Sequence, residues 1–125
     1  EDELFDLEQY PLLDVSYGIA LSGVSESEFF NLLNLFVMKE IPEDKKAIEK
    51  AYSIKDWDKV EKLSHKLKGG TDYMGAIRMK YACMYLECYR KAGYSILLEK
   101  LYQQLIKTLD ETLECIKYRI NGSAN

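Results

Sequence analysis

The stretch WDKVEKLSHKLKGGTDYM, residues 57–74, has the spacing of apolar residues that is typical of an amphipathic α-helix. At about 100° per residue, its apolar side chains fall in one arc of the helical wheel. The members of this arc are Trp57, Val60, Leu63, Leu67 and Met74. His65, the only histidine of the chain, points roughly 155° away from the middle of the arc. We therefore predict a helix from Trp57 to about Tyr73 that presents His65 to water.

Three further helices are predicted before this one. Each has a start signal, which is an N-cap residue, a capping box or a proline in the first turn. These signals are Asp14, Ser25 with Glu28, and Pro42. The three helices are expected to end at about residues 21, 39 and 53, the first of them just before Gly23. Asp56 is expected to cap the histidine helix.

Two more helices are predicted after the histidine helix. The first spans about residues 77 to 91 and stops at Gly93. The second opens at Ser95 and is the longest, because one apolar stripe continues almost to the end of the chain. The members of this stripe are Leu98, Leu101, Leu105, Leu109, Ile116 and Ile120.

Amphipathic helices joined by short connections bury their apolar stripes against one another. The sequence therefore predicts an all-α fold, an antiparallel up-and-down four-helix bundle with additional short N-terminal helices. The 125 residues are expected to form one domain, since no linker-like or repeated segment divides them. In this domain, residues 1–24 are a leading segment with a short helix, residues 25–120 form the bundle, and residues 121–125 are a flexible tail.

The composition excludes several classes of protein. Apolar residues make up 47% of the chain and charged residues 30%, which is typical of a soluble globular domain. The net charge of −4 is spread along the chain without a basic block, which argues against nucleic-acid binding. No apolar run approaches the ~20 residues of a membrane span. The three cysteines, an odd number without metal-site spacing, indicate reduced thiols. A cytoplasmic location follows.

Gly69 lies one turn beyond His65 on the predicted helix. Glycine inside a helix costs about 0.5–1 kcal/mol relative to alanine, and here Gly69 is followed by a second glycine. One interpretation is that Gly69 removes the side chain that would crowd the imidazole, so that a partner can approach. The other is that the glycines mark helix fraying or close helix packing, beside a solvated histidine. The spacing alone leaves both open.

The order of these residues resembles the histidine phosphotransfer (HPt) domain family. The matching motif is HKLKG at residues 65–69, then Gly75 and Ala76, then Cys83 and the pair Leu86-Glu87 on the next helix. The resemblance extends from about Leu13 to about Ile120. It implies a four-helix bundle in which the histidine lies midway along an exposed helix face.

The resemblance implies a phosphorelay intermediate. His65 would accept a phosphoryl group from an aspartyl phosphate of one receiver domain and pass it to the aspartate of another. The domain would be a phosphohistidine carrier without an enzymatic activity or a cofactor of its own, and Mg²⁺ would belong to the receiver. The expected partners are receiver domains of a hybrid histidine kinase or a response regulator, with no nucleic acid and no membrane insertion. The isolated domain is expected to be monomeric.

The same family pattern assigns roles to three other residues. Lys68 would balance the negative charge of the phosphoryl group, and Glu87 would hydrogen-bond the non-reacting ring nitrogen and so orient the imidazole. Gly69 would give steric access. Lys62 and Lys66 either assist docking or belong to a solvated helix face. Gly75, Ala76 and Cys83 are interpreted as structural.

Two features are not assigned by the motif. Phe30, Leu33 and Val37 share one face of a helix with an excess of apolar residues, and they belong either to a receiver interface or to the core. Asp72 falls near the face of His65, about two turns away, where it would repel or select a partner.

Two other functions are kept as alternatives. One is a helical adaptor that docks receiver domains without phosphate traffic. The other is a phosphatase or phosphotransferase acting on small molecules, which usually needs a concave pocket rather than a convex helix face. The sequence begins at Glu1 rather than methionine, which favours the C-terminal domain of a membrane-bound hybrid sensor kinase over a stand-alone protein.

Overall fold

The structure is a computed structural model that describes residues 2–123. A short 3₁₀ turn, Asp2–Phe5, is followed by α1 (Val15–Ser22), α2 (Glu26–Leu35), a π-helical segment (Phe36–Glu40), α3 (Ile41–Ser53), α4 (Trp57–Met74), α5 (Ile77–Lys91) and α6 (Leu98–Ser123). None of the described residues forms a strand. The predicted all-α class is confirmed.

The predicted N-caps of three helices are present. Asp14, Ser25 and Asp56 each accept a hydrogen bond, at 3.0–3.2 Å, from the backbone N–H three residues later. Each bond satisfies one of the donors that the first turn of a helix leaves unpaired. The starts of α1, α2 and α4 are therefore fixed by local sequence.

The prediction of separate helices over residues 25–39 and 42–53 is wrong in one respect. Helix α2, the π segment and α3 form one continuous helix, because the flanking residues Leu35 and Ile41 have α-helical dihedral angles. The backbone N–H of Ile41 donates to the carbonyl of Phe36, five residues earlier, instead of four. A wider turn suits this position, because Pro42 has no N–H and its ring would crowd the preceding turn of an ordinary α-helix. Pro42 therefore follows a π bulge and does not start a new helix.

The four-helix bundle consists of this continuous helix, α4, α5 and α6, with α1 packed against α4 and α2. Ser95 does not cap α6, which begins at Leu98; the backbone N–H of Leu98 donates to the carbonyl of Ser95 in a preceding turn. Helix α6 also continues through residues 121–123 of the predicted tail, and residues 124–125 lie outside the described part of the chain.

The alternative that Phe30, Leu33 and Val37 belong to the core holds for this apolar face, which α2 and the π segment share. Leu33 and Val37 are buried, and Phe30 is half-buried against the core. The exposed apolar side chains of this region are instead Leu32, Leu35 and Met38.

The turn between α4 and α5 is fixed by Gly75. This residue has a φ of 75°, in the left-handed region that favours glycine, and its carbonyl accepts a hydrogen bond from the backbone N–H of Asp14 at 2.8 Å. A Cβ at this position would lie 2.1 Å from the carbonyl oxygen of Asp14. Ala76 is fully buried beside it. The structural interpretation of both residues is confirmed, and the turn sets how α4 faces α5.

Candidate functional site

His65 lies in the middle of α4 and faces away from the core, as the helical wheel predicts. Its side chain is 66% exposed. The next residues toward the core, Ser64 and Leu67, are buried. The ring is therefore held on the surface by the burial of the opposite face of α4.

Glu87 of α5 contacts this ring directly. Its oxygen Oε1 lies 2.7 Å from Nδ1 of His65, while its side chain is only 3% exposed. An ionised carboxylate can only accept hydrogen bonds, so Nδ1 must carry the proton that is shared. In the neutral ring, Nε2 is then the nitrogen with a free lone pair.

Two lysines also bind Glu87. Lys68 of α4 lies 2.9 Å from Oε2, and Lys91 of α5 lies 3.0 Å from Oε1. Burial raises the pKa of the Glu87 carboxyl, but the ion pair with Lys68 and the hydrogen bonds from Lys91 and His65 lower it more, and the resulting pKa is about 2. Glu87 is therefore a buried, ionised acceptor at neutral pH.

The surface beside His65 is open at Gly69. A Cβ added there would meet nothing within 4 Å, whereas one at Gly70 would meet Met74 and Phe36 at 3.8 and 3.9 Å. Close helix packing therefore does not explain Gly69. A shallow depression of about 250 Å³ lies on the other side of the ring, lined by Glu61, Lys62, His65, Glu87 and Lys91.

Comparison with known proteins agrees with this geometry. The profile of the Hpt domain matches residues 32–115, which is more than half of the chain. The chain belongs to the Hpt domain family. This domain is similar to the crystal structure of histidine-containing phosphotransfer protein B (HptB) from Pseudomonas aeruginosa PAO1, with a TM-score of 0.74 and 25% sequence identity over 89% of this chain and 96% of that one. A search of curated proteins gave no significant match.

As a member of this family, the Hpt domain is a phosphotransfer intermediate of a phosphorelay, and receiver domains are the partners of its family. Within residues 2–123 no helix combines the length and the apolarity that a membrane span requires. The same residues contain no cluster of three metal-binding side chains of the histidine, cysteine or carboxylate type.

Two other residues singled out in the sequence, Lys66 and Asp72, have partners within the Hpt domain. Lys66 lies 3.2 Å from Asp44 of α3, although its own side chain is 71% exposed. Asp72 lies 3.0 Å from Lys80 and accepts a hydrogen bond from Tyr17. Asp72 therefore links α4 to α5 and to α1. It also lies about two turns along α4 from His65.

Lys91 is the residue of this site that the sequence motif does not include. Its only signal in the sequence is the spacing of four residues after Glu87, which places an acid and a base on the same helix face. Such pairs are common on helix surfaces, so the spacing alone does not distinguish Lys91 from other lysines. The three cysteines are free thiols, and Cys83 is buried as expected for a packing residue.

Proposed function

We propose that His65 is the phosphoacceptor of this Hpt domain. The observation that carries the proposal is the 2.7 Å contact between Nδ1 and the ionised Glu87, which leaves Nε2 exposed with a free lone pair. A nucleophile that is already oriented loses little freedom on reaching the phosphorus. The exposed position lets the active site of a receiver domain close over it.

The transfer step is balanced without a proton acceptor. The lone pair of Nε2 forms the N–P bond while the P–O bond to the receiver aspartate breaks, and the electrons of that bond leave with the aspartate as a carboxylate. Nδ1 keeps its proton, so the phosphorylated ring is cationic beside the carboxylate of Glu87. The reverse step onto a second receiver releases the neutral ring again.

Lys68 and Gly69 complete the proposed site. Lys68 is three residues from His65 on the same helix face, so its ammonium group can neutralise a phosphoryl group on Nε2. Gly69 leaves open the surface over which a receiver would dock. Lys62 and Lys66 add positive charge at the rim of this surface and would assist docking to an acidic receiver.

The proposal makes this domain a carrier and not an enzyme. The depression beside the imidazole is shallow and open, which is unlike the enclosed pocket of a small-molecule enzyme. Mg²⁺ would be supplied by the receiver, and the receivers would be those of a hybrid sensor kinase and a response regulator. A cytoplasmic location, free or tethered to such a kinase, agrees with the three free thiols.

Label transfer from a phosphorylated receiver domain of the same organism tests this function. The receiver is charged with radiolabelled acetyl phosphate and Mg²⁺, and label is measured on the wild-type domain and on His65→Gln. We expect acid-labile, base-stable label on the wild type and none on the variant. A folded wild-type domain that takes no label from any receiver would support the adaptor alternative instead. Turnover of acetyl phosphate or free nucleotides without a receiver would support the enzyme.

A further inference from the structure

The carboxylate of Glu87 has more cationic partners than one negative charge requires. Lys68 approaches Oε2 at 2.9 Å, whereas Lys91 and Nδ1 of His65 share Oε1 at 3.0 and 2.7 Å. With a neutral imidazole, the two ammonium groups and the one carboxylate leave a surplus of one positive charge. The resting site is therefore prepared for an anion.

Phosphorylation would remove this surplus. The phosphoryl group brings two negative charges and the ring, which keeps the proton on Nδ1, gains one positive charge. Phosphohistidine therefore adds one net negative charge, and the cluster of His65, Lys68, Glu87 and Lys91 becomes neutral. Without Lys91 the same cluster would be neutral at rest and negative after phosphorylation.

Lys68 cannot serve Glu87 and the phosphoryl group equally well. In the resting site its ammonium group binds Oε2. If this group instead binds the phosphoryl group on Nε2, it no longer contacts the carboxylate of Glu87, whose side chain is 3% exposed. A buried carboxylate that loses its cation is strongly destabilised. Lys91 binds the other oxygen of the same carboxylate and lies one turn further along α5, which keeps it within reach in both states.

We propose that Lys91 is a positioning residue that neutralises Glu87 while Lys68 moves from Oε2 to the phosphoryl group. This inference rests on the proposed function of His65. It predicts that Lys91 matters only because position 87 is an anion. A glutamine at that position would orient Nδ1 through its amide oxygen without needing a cation.

The competing explanation is that Lys91, whose side chain is 60% exposed, only attracts the receiver. A docking lysine changes the receiver concentration at half-saturation and the salt dependence, because surface charges act on association. A positioning lysine changes the maximal rate of transfer at saturating receiver. The two explanations therefore predict changes in different kinetic parameters.

The experiment is a double-mutant cycle of Lys91→Met and Glu87→Gln, with single-turnover label transfer from the receiver charged by acetyl phosphate. We expect Lys91→Met to lower the maximal rate about fivefold to tenfold in the wild-type background, and by less than about twofold when position 87 is glutamine. Lys91→Arg, which keeps the charge, should restore most of the rate. Lys62→Met is the comparison for docking and should raise mainly the half-saturating receiver concentration.

Equal losses in both backgrounds, or a change confined to half-saturation, would overturn the inference. His65→Gln is measured alongside, and far-UV circular dichroism checks that each variant is folded. If His65→Gln still takes label, the proposed function fails and this inference fails with it. If His65→Gln takes none while Lys91→Met reaches the wild-type maximal rate, only the role of Lys91 fails.

Discussion

Oε1 of Glu87 lies 2.7 Å from Nδ1 of His65, although the two residues are 22 positions apart and lie on different helices. The contact depends on the turn at Gly75, which folds α5 back along α4. At the far end of the two helices, Arg90 of α5 contacts Asp58 at 2.7 Å and Glu61 at 2.9 Å, and these ion pairs also join α5 to α4. The orientation of the histidine is thus a property of the packing between α4 and α5.

The charge of Glu87 should make the stability of the domain depend on pH. Its folded-state pKa of about 2 lies below the ordinary value of 4.5, so its contribution is fully present above about pH 4.5 and is lost as the pH falls toward 2. We expect Glu87→Gln to lower the free energy of unfolding at pH 7 by on the order of 2–3 kcal/mol. Urea unfolding should show this difference narrowing between pH 5 and pH 3; a difference independent of pH would contradict the assignment.

Loss of Lys68 should slow phosphoryl transfer more than loss of Lys66. We expect Lys68→Met to lower the rate of label transfer by about tenfold or more, because the phosphoryl group loses its charge-assisted partner. Stability should fall by only about 1 kcal/mol, because Lys91 still neutralises the carboxylate of Glu87 after Oε2 loses its cation. Lys66→Met is the matched control on the same helix and should change transfer by about twofold at most. Similar losses in the two variants would mean that both lysines act only through the general positive field.

Alanine at position 69 should separate stability from function. A Cβ there meets nothing within 4 Å, so Gly69→Ala should raise the free energy of unfolding by about 0.5–1 kcal/mol through helix propensity. Transfer from the receiver should nevertheless slow, because the methyl group occupies the open surface beside the imidazole. Gly122→Ala in α6, where a Cβ also meets nothing, is the control for propensity and should leave transfer unchanged. A Gly69→Ala variant that transfers at the wild-type rate would show that the glycine is not needed for access.

Alanine at position 75 should lower the free energy of unfolding much more than alanine at position 23. Both glycines have a positive φ, of 75° and 70°, which costs about 1–2 kcal/mol for a residue with a Cβ. Only at Gly75 would the Cβ also meet the carbonyl oxygen of Asp14, at 2.1 Å. We expect Gly23→Ala to lower the free energy of unfolding by about 1–2 kcal/mol and Gly75→Ala by at least twice as much, measured by urea unfolding. Equal losses would mean that the contact with Asp14 relaxes easily.

Much of the fold follows from local patterns. The periodicity of residues 57–74 predicts which face of α4 is buried, and the caps at Asp14, Ser25 and Asp56 predict where three helices begin. Local patterns predicted helix boundaries less well where the boundary depends on packing against neighbouring helices. Ser95 has the chemistry of an N-cap, yet α6 begins at Leu98. Pro42 is typical of the first turn of a helix, yet here the helix continues past it. The π bulge before Pro42 allows this, and Val37 and Ile41 remain in the core.

The sequence by itself determined that the chain is helical, that His65 faces solvent, and that the histidine motif belongs to a phosphotransfer domain, because helical periodicity, capping and motif spacing are local properties. Only the tertiary structure decided which groups surround the carboxylate of Glu87. It buries Glu87 and brings Lys68 of α4 to Oε2 of its carboxylate, while the other oxygen contacts Lys91, one turn further along the same helix. The physical reason is that the burial of Glu87 and its distance from Lys68 depend on how α4 and α5 pack, and residue spacing within either helix does not specify that packing.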